Sequence, residues 1–169
     1  MKQAVLEGIQ RQINREFFSA YLYLAMSAWF EARSLEGFAG WMRAQAAEER
    51  DHALRLYDHL IERGAPVELQ AIDAPDAEFG SPVEAFQAAL EHERKVTGWI
   101  HELYDVTLEN RDHAAQAVLE WFVTEQVEEE DSVGTIVEQL RMAGDNQAAV
   151  LMLDRELGAR SAAPAEGGA

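Results

Sequence analysis

Four long stretches of this chain repeat apolar residues at helical spacing, and each stretch breaks its own pattern with a glutamate. The first stripe reads Leu6, Ile9, Ile13, Glu16, Ala20, Tyr23, Ser27 and Phe30. The second reads Phe38, Met42, Gln45, Glu49, His52, Leu56 and Leu60. The third is Phe86, Leu90, Glu93, Thr97, Ile100, Tyr104 and Thr107, and the fourth is Val118, Phe122, Gln126, Glu129, Val133, Ile136 and Leu140. A stripe of this spacing is one face of an amphipathic helix. No segment alternates with period two, so the expected fold class is all-α.

Glycine and proline fall between the stretches and set their limits. The pattern predicts α1 over residues 3–33, α2 over 35–63, α3 over 82–109, α4 over 112–142 and a shorter α5 over 145–157. Ser81 ahead of Pro82, with Glu84 three residues on, reads as an N-cap and first turn. Gly64 and Gly144 read as helix stops. Short links make α1–α2 and α3–α4 antiparallel hairpins. Residues 65–81 carry Pro66, Pro75 and Gly80 and little periodicity. Extended, such a link reaches about 55 Å, whereas a helix of this length spans about 42 Å. It can therefore run the whole bundle and leave α2 and α3 parallel. The expectation is one domain over 1–158, a four-helix bundle with one long crossover and a short fifth helix, and a disordered tail over 159–169.

The acids within the stripes carry the chemistry. Glu16, Glu49, Glu93 and Glu129 come from four helices and interrupt them at similar height. Carboxylates gathered in a core cannot all stay ionised without a counter-charge. A polyvalent cation supplies one. His52, three residues after Glu49, adds an imidazole on the same face. Carboxylates with one imidazole and no thiolate suit iron or manganese and tolerate zinc. Glu49 is central enough to bridge two ions, the first held by Glu16, Glu49 and His52 and the second by Glu49, Glu93 and Glu129. Gln126 is placed to hydrogen-bond a water or bound oxygen species. Tyr23 either donates to a ligand or gives up an electron, or else is a satisfied core tyrosine. Trp121 reads as packing. Glu48, Glu125 and Glu128 offer either a third, more exposed cation site or a solvated face. His59, His92, His101 and His113 have no matched partners and read as surface or packing residues. The weak echo between halves breaks at Ser132, where a second histidine would complete the symmetry.

Bulk composition bounds the partners. The chain has 31 acidic and 14 basic residues, a net charge of −17. Nucleic acid is an unpromising partner, because binding requires phosphate neutralisation. Acidity instead draws cations. The absence of cysteine excludes disulfides, zinc ribbons and iron–sulfur clusters and suits a cytoplasmic setting. No apolar run suffices to span a membrane, and the N-terminal residues read as helix, not as a signal peptide.

At these residues the sequence resembles the non-haem ferritins, of bacterial type. INREFFSAYLYLAMSAWF is similar to the family's first helix, AAEERDHA to its second, EHE to its third and WFVTEQVEEE to its fourth. The resemblance runs from about residue 3 to 157. It implies a hollow shell of 24 subunits and a ferroxidase centre that oxidises Fe(II) with dioxygen or hydrogen peroxide. It also implies storage of Fe(III) as an oxide mineral, two irons per subunit, and a third iron at Glu48, Glu125 and Glu128. Ser132, and Arg50 where a bacterioferritin carries its haem-ligating methionine, imply no haem. Gln116 and Leu119 depart from the acidic pore pair of animal ferritins. The rival readings are a di-iron oxidase or peroxide scavenger that stores nothing, and a non-catalytic helical interaction bundle.

Overall fold

The computed structural model describes residues 1–161. Its helices are α1 Gln3–Glu31, α2 Glu36–Glu62, α3 Pro82–Glu109, α4 His113–Ala143 and α5 Gln147–Ser161, with no strand among the described residues. None of these helices is long and apolar enough to cross a membrane. The fifth helix exceeds its expected end. Residues 159–161, expected in a disordered tail, continue α5, while residues 162–169 lie outside the described residues.

Helix starts follow local chemistry. The Ser81 hydroxyl accepts from the Glu84 amide, and the Glu84 carboxylate reaches back to the amide of Gly80 at 3.1 Å, one residue before the cap. Asp112 caps α4 by accepting from the Ala115 amide at 3.1 Å, and it pairs with Arg63 at the end of α2. Both hairpin turns carry a left-handed residue without glycine, Ser34 and Arg111.

The core is split in two, and the split shows the topology. One apolar cluster takes Val5, Ile9 and Ile13 from α1, Leu56 and Leu60 from α2, Val96 to Leu103 from α3, and Ala115 to Phe122 from α4. The other takes the end of α1, the start of α2, the start of α3 and the end of α4. Helices α2 and α3 thus finish at the same end of the bundle, so they run parallel. The crossover covers the distance along α1. Gln10 donates to the Pro66 carbonyl, Asn14 to the Ala71 carbonyl, and Phe79 packs edge-on to Trp29 at 5.6 Å. Every acid-bearing stripe position falls between the two clusters.

Helix α5 closes one end through a borrowed cap. Leu35 at the start of α2 offers no side-chain oxygen. Buried Asp154 of α5 supplies one, accepting from the Phe38 amide at 2.8 Å. The helices approach closely here. A Cβ on Gly37 would lie 1.6 Å from the Asp154 carbonyl oxygen, and one on Gly158 would lie 3.0 Å from the Gly37 Cα. Asp154→Ala should lower stability by about 1–2 kcal/mol, the usual cost of a lost cap. Thermal unfolding of the two proteins side by side checks this, and an unchanged midpoint contradicts the assignment.

Candidate metal centre

The space between the apolar clusters is filled by polar side chains. Glu16, Glu49, Glu93 and Glu129 are 1%, 1%, 0% and 6% exposed, and Tyr23, His52 and Gln126 are buried with them. One ligand atom each from Glu16, Glu49 and His52 lies within 4.8 Å of the others, a spacing able to hold an ion. His52 Nδ1 stands 3.4 Å from Glu49 Oε2. The imidazole is walled edge-on by Trp121 at 5.2 Å and Phe122 at 5.8 Å, and the Arg55 guanidinium covers Trp121. Trp121 therefore packs against a site residue.

A second grouping differs from the sequence reading. His52, Glu125 and Glu129 also lie within 4.8 Å of one another. The expected set for a second ion was Glu49, Glu93 and Glu129. Glu93 lies in neither grouping, and both its oxygens have donors. Tyr23 Oη donates to Oε1 at 2.5 Å, and Gln126 Nε2 approaches Oε2 at 3.3 Å. Of the acids expected at a third site, half-buried Glu125 joins a grouping, while Glu48 and Glu128 are exposed and join none.

Two residues not singled out from the sequence complete the arrangement. Gln12 Nε2 donates to Glu16 Oε1 at 2.7 Å, and Gln45 Nε2 donates to Glu129 Oε2 at 2.9 Å. Gln12 lies one turn before Glu16, and Gln45 one turn before Glu49 on the stripe of α2. That upstream spacing marks Gln12 in the sequence, but not Gln45, which reaches across to Glu129 on α4. His92 also differs from its reading as unpartnered, since its Nε2 lies 2.7 Å from Ser19 Oγ. His101 and His113 are exposed, and His59 is half-buried.

Electrostatics follow from the crowding. Burial pushes the Glu16 and Glu49 carboxyls well above the usual range, and neighbouring carboxylates add to it. Burial also raises Glu93, though the hydrogen bonds from Tyr23 and Gln126 favour its ionised form. Glu129 is pushed up to about 8, by burial first and then by Glu93 and Glu48. Burial and the charge of Glu93 raise the Tyr23 phenol well above its ordinary value, which keeps it a hydrogen-bond donor. Two buried oxygens, Glu16 Oε2 and Glu49 Oε1, receive no hydrogen bond from an amide, hydroxyl or imidazole, and only a proton held between the two carboxyls joins them. Such atoms are costly in a core, and a cation beside them would offset that cost. The donor set fits a hard or borderline divalent metal.

The fold and this cluster define a single-crossover four-helix bundle with a buried carboxylate and histidine centre able to hold metal. Residues 6–143 match the ferritin-like domain. The bacterial non-heme ferritins of Staphylococcus aureus (strain NCTC 8325 / PS 47) and Staphylococcus haemolyticus (strain JCSC1435) are each 37% identical over 161 residues, covering 95% of this chain and 97% of their own. An open pore ferritin from the archaeon Archaeoglobus fulgidus has a TM-score of 0.92 at 45% identity, covering 94% of this chain and 97% of that one. A closed form of that ferritin, engineered by site-directed mutagenesis, also scores 0.92 at 46% identity, covering 94% and 96%. This chain belongs to the ferritin family, and its relatives are the non-haem ferritins.

The raised carboxyls make stability depend on pH. The folded chain holds protons that the unfolded chain releases near 4.5, so the stabilisation is full below that value. It is lost as pH rises through the folded value, about 8 for Glu129. Metal-free protein should therefore melt at progressively lower temperature from about pH 5 to about pH 8, and Glu129→Gln should flatten the slope. A midpoint that stays level or climbs across that window would contradict the assignment.

Proposed function

We propose that this chain is an iron-storage ferritin subunit that oxidises Fe(II) at a two-iron centre inside its bundle, using dioxygen or hydrogen peroxide. In the same reading, 24 copies assemble into a hollow cytoplasmic shell in which the Fe(III) product accumulates as an oxide mineral. The observation that carries it is the buried Glu16, Glu49 and His52 grouping, with an oxygen on each carboxyl that no amide, hydroxyl or imidazole serves. Iron is the substrate here and does not stay as a resident cofactor. No haem takes part, and Arg50 is exposed on the outer side of α2 from Glu49.

The first Fe(II) takes Glu16, Glu49 and His52. The second takes Glu49, Glu93 and Glu129, with Glu49 shared. Entry of cations discharges the protons that the crowded carboxyls hold, so binding releases protons and strengthens with pH. Each Fe(II) then gives one electron to the oxidant. The ionised carboxylates favour the product because attraction grows with the ion's charge. Tyr23 and Gln126 act on the second position by orienting Glu93 through its two oxygens. Gln12 and Gln45 do the same for Glu16 and Glu129. Glu48, Glu125 and Glu128 form a third, shallower position. Glu125, grouped with His52 and Glu129, would link it to the buried centre, while Glu48 and Glu128 stand exposed. A chain charge of −17 draws cations toward the shell.

Glu49→Ala removes the shared ligand. Initial Fe(II) oxidation, followed by the rise in near-ultraviolet absorbance, should fall by about 100-fold or more, while the particle keeps its size on gel filtration. The metal-free variant should melt no lower than the parent, because a cluster of like groups is relieved. An undiminished initial rate would sink the two-iron reading.

A further inference from the structure

His92 is a buried polar residue that the proposed centre does not use, although it immediately precedes Glu93 on α3. Its Nε2 lies 2.7 Å from Ser19 Oγ. Ser19 is fully buried on α1, one turn after Glu16 and one turn before Tyr23. The Ser19 hydroxyl donates to the Arg15 carbonyl at 3.1 Å. With that hydrogen committed, Ser19 accepts from the His92 Nε2–H. The ring is held between Phe18, centroids 5.8 Å apart, and Trp99 at 6.3 Å, and the Arg15 guanidinium lies over Trp99 at 4.2 Å.

Helices α1 and α3 belong to different hairpins, so no short turn fixes one along the other. Among the described residues, only two side-chain hydrogen bonds join them. These are Ser19 with His92 and Tyr23 with Glu93. The rest of the contact is apolar packing and the Arg15 guanidinium over Trp99, which fixes no hydrogen-bond register. Gly8 gives Leu103 room, because a Cβ there would lie 2.5 Å from Leu103 Cδ1. An apolar interface tolerates sliding, whereas one buried polar pair selects a register.

We infer that Ser19 and His92 are a positioning pair. Their hydrogen bond fixes where α3 sits along α1, and so where the Glu93 carboxylate stands relative to Tyr23 and Glu16. The inference rests on the two-ion centre proposed above. It assigns the pair to the second ion position, which needs Glu93, and leaves the first, built from Glu16, Glu49 and His52, untouched.

The test is Co(II) titration of the whole metal-free protein, read by visible absorbance and calorimetry. The parent should bind in two resolved steps. Ser19→Ala and His92→Leu should each weaken the second step by about 10-fold or more, and leave the first within about two-fold. His92→Gln places an amide donor near the position of Nε2 and should recover most of that loss. In a Ser19→Ala background it should recover none. A role in packing alone would move both steps together, or only the melting temperature, and would not be rescued by glutamine. Variants with an unchanged second step overturn the inference, as does glutamine performing no better than leucine. Ser19→Ala is small enough to carry the test even where His92→Leu does not fold. If the parent itself binds fewer than two Co(II), the two-ion reading fails and takes this inference with it.

Discussion

Four carboxylates from four helices share the dry space between two apolar clusters, and the surrounding structure is arranged around the cost of keeping them there. Burial alone pushes these groups toward their protonated forms, and mutual repulsion pushes further. A bundle built for stability alone would place leucine at these positions. The protein instead surrounds the acids with amide and phenol donors. Gln12, Gln45, Gln126 and Tyr23 each serve a carboxylate oxygen. Two oxygens, one each on Glu16 and Glu49 in the grouping they form with His52, receive no such donor. That imbalance is what a divalent cation would correct.

Holding such a cluster requires that the helices not shift. The two halves of the core grip each helix above and below the polar layer. The ends are fixed by polar contacts between elements distant in sequence. Asp112 caps α4 while holding Arg63 of α2, and Asp154 of α5 caps α2. The crossover is stitched along α1 by Gln10 and Asn14. Rigid scaffolding of this kind allows ligand positions to be set by backbone register.

The bundle was legible in the sequence because apolar spacing, helix caps and the length of residues 65–81 all pointed the same way. The burial of Glu16, Glu49, Glu93 and Glu129 followed from phase alone. What the sequence hid was pairing across helices. Nothing in the spacing says that Tyr23 meets Glu93, that Gln45 on α2 serves Glu129 on α4, or that His92 finds Ser19. Such partners depend on how far one helix slides along another, a quantity no single stripe encodes. The same limit explains the second acidic grouping. Phase placed Glu48, Glu125 and Glu128 together, while rotation of α4 turns Glu125 inward and leaves Glu128 in solvent. The borrowed cap was hidden for another reason, since Asp154 lies more than a hundred positions from the helix it completes.

Cations are what reconcile these acids with a dry interior. Crystals soaked anaerobically in Fe(II), with diffraction collected at energies above and below the iron edge, test it most directly. Two anomalous peaks inside each bundle are expected, one among Glu16, Glu49 and His52 and one beside Glu93 and Glu129. Peaks confined to the outer surface, with the interior carboxyls still bonded only to Gln12, Gln45, Gln126 and Tyr23, would contradict it.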